Sequence, residues 1–313
     1  MKKLLLLMFV VFVSSLSCVA VEPEPTLLRC CTFNIRLKND GDDKAGFGWN
    51  VRRDRVANYI REKAIDVVGM QEVLHPQLLD LLERLPQYDY VGVGRADGKT
   101  RGEYSPIFYK KERFKKLEGG TFWISETPEK VGVKGWDAAL PRICSYVHLQ
   151  DKVTKKRFWF FNLHMDHIGV EARREGAKLI AKKITEMCGK EPAFVSGDFN
   201  VDQHNEAYRT IINTGVLEDS YELAEKKFAT TGTFNSFDSN LFTESRIDHI
   251  FVTEHVTVNN YAVLTDGYWT PNDKSGKSRK GEAAPQEINF SEHQHRCPSD
   301  HYPIAAKITF KKK

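Results

Sequence analysis

The stretch Ala193-Phe194-Val195-Ser196-Gly197-Asp198-Phe199-Asn200 decides how this chain is read. Ala193-Phe194-Val195 is a short apolar run of strand type, and just beyond it stand an acid and an amide, Asp198 and Asn200. The same pattern recurs outward in both directions. Thr32-Phe33-Asn34-Ile35-Arg36 closes a strand on Asn34, and Gly69-Met70-Gln71-Glu72-Val73 closes another on Glu72. Asn162-Leu163-His164-Met165-Asp166-His167 does so on His164, and Asp248 sits in Arg246-Ile247-Asp248-His249-Ile250. Ser299-Asp300-His301-Tyr302-Pro303 precedes the last apolar run. Any one of these is an ordinary turn or cap. Six in one chain, all polar and all at strand ends, point to a shared site.

Between these motifs, strand-like and helix-like segments alternate without a linker. Strands are expected over Leu27 to Ile35, Asp66 to Met70, Tyr90 to Val93, Ile107 to Tyr109 and Thr121 to Ile124. Ile143 to Leu149 and Arg157 to Leu163 read as a hairpin across Asp151-Lys152. Late strands are expected over Ile247 to Val252, Val256 to Leu264 and Ile304 to Phe310. Helices are expected over Val51 to Lys63, Gln77 to Leu85, Gly169 to Cys188 and Glu206 to Asn213. In the long one, Ala172, Ala177, Ile180, Ala181 and Ile184 are apolar. Asn272 to Gln286 is polar, glycine-containing and lysine-rich, a loop composition. Many strands with fewer helices outside them suggest stacked sheets flanked by helices.

The 313 residues allow two domains or one large α/β domain. With 41% hydrophobic and 28% charged residues, the chain can bury a core, which excludes a wholly disordered polymer. Only 33 residues are Gly or Pro (21 and 12), and there is no internal repeat, so collagen-like and solenoid architectures are excluded. The net charge of +4 permits an anionic substrate without demanding nucleic acid.

Residues 1–20 have the pattern of a secretory signal peptide: Lys2-Lys3, an apolar run from Leu4 to Val13, then small residues to Ala20. Export to the periplasm or the exterior is therefore expected. Two forms of processing stay open, cleavage after Ala20 or lipidation of Cys18 in Leu16-Ser17-Cys18; the second would be the sole membrane attachment. Beyond Cys18, five cysteines (Cys30, Cys31, Cys144, Cys188 and Cys297) show no CxxC and no zinc spacing, and their pairing is not legible. Cys30 and Cys31 fall in an expected buried strand, where a small apolar packing role is the default.

The ordered set of motifs resembles the endonuclease/exonuclease/phosphatase superfamily, which includes deoxyribonuclease I, exonuclease III, secreted sphingomyelinases, inositol polyphosphate 5-phosphatases and the nocturnin group. Gly-Asp-Phe-Asn at 197–200 and Ser-Asp-His at 299–301 are its most specific elements. The segments Phe122-Trp123-Ile124-Ser125-Glu126-Thr127-Pro128 and Gly135-Trp136-Asp137-Ala138-Ala139-Leu140-Pro141-Arg142 are similar to a secreted bacterial branch. The resemblance implies one domain over 26–312, folded as a four-layer α/β sandwich of two mixed sheets flanked by helices.

The residue types suit phosphoester hydrolysis. A phosphate ester repels its attacker, and a hard cation bound by carboxylate and amide oxygens relieves that repulsion. The resemblance implies Mg²⁺, with Mn²⁺ as a substitute, held by Glu72 with Asn34 and Asp300 nearby. It further implies that His301, paired with Asp248, takes the proton of the attacking water. Asp198 and Asn200 would orient that water and bind the phosphoryl oxygen, and His164 would contact the phosphate or protonate the leaving oxygen. His167 and His249 are weaker candidates, of structural type.

Two departures from related branches carry information. Apurinic-site endonucleases place an acid two positions after the first Asn, where this chain has Arg36, so a repair role is disfavoured. Arg142 reads either as a phosphate-gripping residue or as a solvated strand edge, and Glu103 as a near-metal acid or a loop acid. Lys274, Lys277, Arg279 and Lys280 could line a nucleic-acid groove or simply be solvated. Trp123, Trp136 and Trp269 could stack on bases or a sugar, or pack in the core. The first expectation is a monomeric Mg²⁺-dependent phosphodiesterase or nuclease. The alternatives are a phosphomonoesterase on a small nucleotide or sugar phosphate, and an inactive surface binding module. The intact acid and imidazole set argues against the last.

Overall fold

The computed structural model describes residues 27–271, 285, 287–288 and 290–311. The expected signal peptide, Cys18, and the basic residues Lys274, Lys277, Arg279 and Lys280 lie outside the described residues, as does most of the lysine-rich loop.

In chain order the elements are β1 (Leu27–Asn34), α1 (Asp40–Lys44), α2 (Trp49–Glu62), β2 (Val67–Gln71), α3 (His75–Arg84), β3 (Tyr88–Val91), β4 (Ile107–Lys110) and β5 (Phe114–Trp123). Then come β6 (Ile143–Asp151), β7 (Arg157–His164), α4 (Val170–Cys188), β8 (Ala193–Asp198), α5 (Glu206–Asn213), β9 (Glu218–Asp219), α6 (Ser220–Leu223) and β10 (Lys226–Phe228). The chain closes through β11 (Asp248–Val252), β12 (Val256–Val263), β13 (Tyr268–Pro271), β14 (His293–Arg296) and β15 (Ile304–Phe310).

The strands form a seven-stranded sheet in the order β10-β12-β15-β1-β2-β4-β3 and a six-stranded sheet in the order β5-β6-β7-β8-β11-β9, beside a β13-β14 ribbon. Both large sheets are mixed: β1 runs parallel to β2 and antiparallel to β15, and β8 runs parallel to β7 and antiparallel to β11.

Strand alternation builds three apolar layers from these two sheets. Leu28, Cys30, Val67 and Ile107 of the first sheet meet Val147, Phe158, Phe160 and Phe194 of the second, filling the space between them. Cys31, Phe33, Val68 and Met70 point the other way, onto Val56, Ile60, Leu78 and Leu81 of α2 and α3. Phe161, Leu163 and Val195 likewise point outward onto Ala177, Ile180, Ile184 and Ile211 of α4 and α5. The result is the expected four-layer α/β sandwich. The five described cysteines are buried free thiols, and neighbours Cys30 and Cys31 serve different layers.

The interior between the sheets turns polar toward one end of the strands. Gln71 Nε2 donates to Thr32 Oγ1 at 3.0 Å and to Asn162 Oδ1 at 2.6 Å, while Asn162 Nδ2 donates to the Met70 carbonyl across the sheets. Ser196 Oγ donates to the same Asn162 oxygen. All four polar side chains are fully buried and each makes at least one hydrogen bond, although Gln71 Oε1 has no partner, so this layer ties the two sheets together directly beneath the strand ends that carry the motifs.

Candidate active site

The register of the sheets gathers the motifs. Asp198 ends β8, and its partners across the ladder are His164 at the end of β7 and Asp248 at the start of β11. Gly197 makes this close approach possible, because a Cβ there would lie 2.4 Å from the Leu163 carbonyl oxygen. From the other sheet, Asn34 pairs with Gln71 at the end of β2, so Glu72 emerges beside it. Asn34 Nδ2 then donates to Glu72 Oε1 at 3.1 Å and to Asp198 Oδ2 at 3.0 Å, one amide joining the two sheets.

Local backbone turns aim these groups. Asn34 Oδ1 accepts from the Arg36 N–H, and Asp198 Oδ1 accepts from the Asn200 N–H, each carboxamide or carboxylate mimicking a turn. Arg36 (φ 59°), Glu72 (φ 61°) and Asn200 (φ 52°) all occupy the left-handed region that residues other than glycine seldom adopt. Such conformations cost about 1–3 kcal/mol each and survive where surrounding bonds hold them, as at active sites. Glu72 is held by the Leu37 N–H on Oε2 at 3.1 Å, and Asn200 by its Nδ2 on the Met165 carbonyl at 2.9 Å.

His301 and Asp248 form a hydrogen-bonded pair at the centre of the site. His301 Nδ1 lies 2.9 Å from Asp248 Oδ2, and Nε2 faces Asp198 Oδ2 at 3.8 Å. Thr233 Oγ1 accepts from the N–H groups of Ile247 and Asp248, and the edge of Phe234 covers the imidazole at 5.1 Å. Burial opposes charging His301, but the charge and hydrogen bond of Asp248, with Asp198 and Asp300 nearby, outweigh it and hold the ring well above its ordinary value. Burial and the charge of Asp248 push Asp198 up to about 7. Asp300 is likewise raised, by burial and by Glu72, against the pull of His301 and Arg36. Ser299 Oγ fixes this last segment by donating to the Asn34 carbonyl at 2.7 Å.

The donor set fits a divalent cation. The charge of Glu72 raises the cost of ionising Asp300, and a hard cation among oxygen ligands is what relieves such repulsion. Ligand atoms of Asp198, Asp248 and His301 also lie within 4.8 Å of one another, a spacing that could hold a metal. In that cluster, however, the Nδ1–Oδ2 hydrogen bond engages the facing atoms of His301 and Asp248, which suits proton transfer.

A second group adjoins the first. His164 is 8% exposed, with Nε2 3.6 Å from Asp198 Oδ2 and Nδ1 3.7 Å from Glu103 Oε2. Burial, then the charges of Arg142 and Arg95, keep it well below its ordinary value, hence neutral. Arg95 makes a two-pronged contact with Glu103, at 2.7 and 2.9 Å. Arg142 is 4% exposed, so it is no solvated strand edge. Its Nε donates to Asp166 Oδ2 at 3.1 Å, its Nη2 meets His167 Nδ1 at 2.9 Å, and its Nη1 is buried without a partner.

The structure thus brings together Asn34, Glu72, His164, Asp198, Asn200, Asp248, Asp300 and His301, with Arg142 held by Asp166 and His167 and close enough for its charge to act on His164. His249 is set apart in the core, bonded through Nε2 to the Val201 carbonyl, and has the structural role expected of it. His167 is exposed and touches Arg142. Trp123 is buried, with its indole N–H on the Arg95 carbonyl at 2.8 Å, so it stacks on no ligand. Sequence reading missed Arg95 and Thr233, which carry no local signal. It also passed over Asp166, although that residue stands in the quoted His164–His167 motif.

The comparisons agree with this geometry. An endonuclease/exonuclease/phosphatase family protein from Bacteroides thetaiotaomicron is 46% identical, with a TM-score of 0.85 over 93% of this chain and 100% of its own. A mannosyl-6-phosphatase from Bacteroides thetaiotaomicron is also 46% identical, with a TM-score of 0.81 over 90% and 100%. A third such structure, from Bacteroides vulgatus, is 40% identical, with a TM-score of 0.78 over 91% and 100%. The Endonuclease/Exonuclease/phosphatase family description matches residues 31–301, and the chain belongs to that family of phosphoester hydrolases.

Proposed function

We propose that this protein is an exported, Mg²⁺-dependent phosphomonoesterase acting on a phosphorylated sugar of the mannose 6-phosphate type. One observation carries the choice of a monoester over a nucleic-acid diester. Among the described residues, Arg36, Arg95 and Arg142 beside the site are each paired with a carboxylate: Arg36 with Asp42, Arg95 with Glu103, Arg142 with Asp166. Affinity for a polyanion comes from cations free to replace its counterions, and paired arginines supply little of that. A single phosphate needs only a few convergent donors. The 46% identity to a protein described as a mannosyl-6-phosphatase supports the same reading.

In this reading Glu72, Asn34 and Asp300 would hold Mg²⁺, or Mn²⁺ in its place, which neutralises charge on the phosphoryl group. Asp198 and Asn200 orient the attacking water and a phosphoryl oxygen. His301 Nε2 takes the water proton, and Asp248 fixes the ring through Nδ1 and stabilises the imidazolium. His164, held neutral, is suited to donating a hydrogen bond to the phosphate. The enzyme acts as a monomer in the periplasm or outside the cell, free or anchored through Cys18.

A substrate panel with Mg²⁺ tests the proposal: mannose 6-phosphate, glucose 6-phosphate, p-nitrophenyl phosphate, bis(p-nitrophenyl) phosphate, DNA, RNA and sphingomyelin. A sugar monoester should exceed every diester in kcat/KM by at least about a hundredfold. Faster turnover of DNA or of the bis-aryl diester would return the assignment to a nuclease or phosphodiesterase.

A further inference from the structure

We propose that a cleft beside the catalytic residues is a subsite for a carbohydrate chain, so that the phosphorylated sugar is recognised as the end of a glycan; this rests on the sugar-phosphatase reading above. The cleft has a volume of about 690 Å³, within the usual range for a ligand site. Its lining includes Phe47, Phe237, Trp269, Asp238, Asn240 and Gln294.

Three features fit a sugar. The first is the aromatic content. Phe47 and Phe237 stack at 4.6 Å with ring planes 6° apart, backed by the guanidinium groups of Arg296 and Arg52, which makes a rigid wall. Trp269 lies on the β13-β14 ribbon and is 66% exposed, braced edge-on by His295 at 5.0 Å. A large ring left in water and braced from one side is available to stack, and the C–H face of a pyranose is a suitable partner. The second is the company it keeps. Asp238, Asn240 and Gln294 are exposed planar groups; the carboxylate can accept from sugar hydroxyls, and the two amides can both donate to and accept from them.

The third is continuity with the catalytic centre. Asn235 and Ser236 donate their backbone N–H groups to the Asp300 carbonyl at 2.8 and 3.1 Å, and Phe234 covers His301. The wall of the cleft is therefore a direct extension of the Asp300–His301 segment. Ser236 (φ 52°) and Phe237 (φ 62°) are both left-handed, a conformation that a bulky residue adopts only when held. Asn235 Oδ1 supplies part of that hold by accepting from the Phe237 N–H at 2.8 Å. This strained pair sets Phe237 against Phe47 instead of into the core.

The test combines binding with kinetics on the whole protein, its Trp269→Ala variant and its Asn240→Ala variant. Unphosphorylated α-mannotriose, titrated by calorimetry and tryptophan fluorescence, should bind the parent and quench its emission. Trp269→Ala should weaken that binding at least about tenfold, and Asn240→Ala by a smaller factor. The ratio of kcat/KM for 6-phosphorylated mannotriose over mannose 6-phosphate should fall by a similar factor in Trp269→Ala. The subsite is overturned if mannotriose at about 10 mM does not bind, if Trp269→Ala binds it as tightly as the parent, or if only oligothymidylate binds through Trp269. Hydrolysis of mannose 6-phosphate without mannotriose binding would remove the subsite alone. Trp269-dependent mannotriose binding without hydrolysis of any sugar phosphate would keep the subsite and remove the proposed activity.

Discussion

His301 Nδ1 and Asp248 Oδ2 are 2.9 Å apart although 53 residues separate them in the chain. Asp248 stands at the start of β11 and His301 just before β15, in different sheets. The contact therefore exists only because the two sheets are stacked. It leaves Nε2 facing Asp198 instead, an arrangement that suits the pair to accept a proton in a defined tautomer. His301→Ala should lower kcat at least about a hundredfold, and Asp248→Asn by a comparable factor. The double variant should lose little more than either single one, since both act on one proton. Near-normal turnover by His301→Ala would remove this mechanism.

The same pair sets a pH dependence. His301 is held above its ordinary value by the Asp248 carboxylate against the opposing effect of burial, and it accepts a proton only when neutral. Activity should therefore rise with pH through the value of His301. Asp248→Asn removes the charge that favours the imidazolium, so the rising limb of kcat/KM should move to lower pH while its plateau falls. A limb that stays in place would mean that another group controls the profile.

Removing the metal should abolish turnover. EDTA should silence the enzyme, and Mg²⁺ or Mn²⁺ should restore it. Glu72→Ala should bind Mg²⁺ at least about tenfold more weakly by calorimetry, because no other carboxylate emerges from β2 at this point. Metal binding by Glu72→Ala as tight as the parent's would displace Glu72 from the ligand set.

His164 should contribute through the phosphate rather than through proton transfer. Burial and the charges of Arg142 and Arg95 keep it neutral. His164→Ala should therefore raise KM for the monoester or the Ki of inorganic phosphate, with a smaller change in the dependence on leaving group. A defect that grows steeply as the leaving group worsens would instead assign it the role of acid.

Asp166 should be a stability residue with an acid signature. It accepts from the N–H groups of Leu140, Ile168 and Gly169 and from Arg142 Nε, all within 3.3 Å. Burial raises its cost, but these donors and the Arg142 charge outweigh it and hold the carboxyl below the usual range. A depressed value contributes stability that is present above the unfolded value of about 3.9 and is lost as pH falls through the folded one. Asp166→Ala leaves Arg142 buried and unpaired and should cost about 3–5 kcal/mol by denaturant unfolding. That difference should hold between about pH 5 and 8 and shrink below about pH 4.

Export is open to a direct check. Expression in a Gram-negative host should yield a processed chain lacking the first twenty or so residues. Palmitate labelling that survives Cys18→Ala would eliminate the lipoprotein form, and an unprocessed cytoplasmic product would eliminate export.

Hydrophobic pattern and motif order were enough for most of the longer elements and for the polar strand ends of the site, but not for α1, α6, β9, β10 or the β13-β14 ribbon, which are short or polar. Glu206–Asn213 and Ile304–Phe310 are legible to the residue, because an apolar face meets an Asn205 cap in the first and strand alternation is clean in the second. β5 was legible only from Thr121, although it begins at Phe114. Its first half carries exposed Lys115, Lys116 and Glu118, two glycines and a register shift, so alternation is lost there. The eight polar residues at six strand ends could be named as one site because acids, amides and imidazoles at such termini have a chemical meaning that survives without coordinates. Apart from the His301–Asp248 pair that the family resemblance implies, the sequence could not say which of them touch. That Asn34 bridges Glu72 and Asp198, that Arg142 is buried against Asp166, or that Trp123 is core while Trp269 is exposed, depends on contacts between segments far apart in the chain. Side-chain chemistry is local and can be read along a sequence, whereas burial, pairing and the resulting shifts in charge arise only where the two sheets meet.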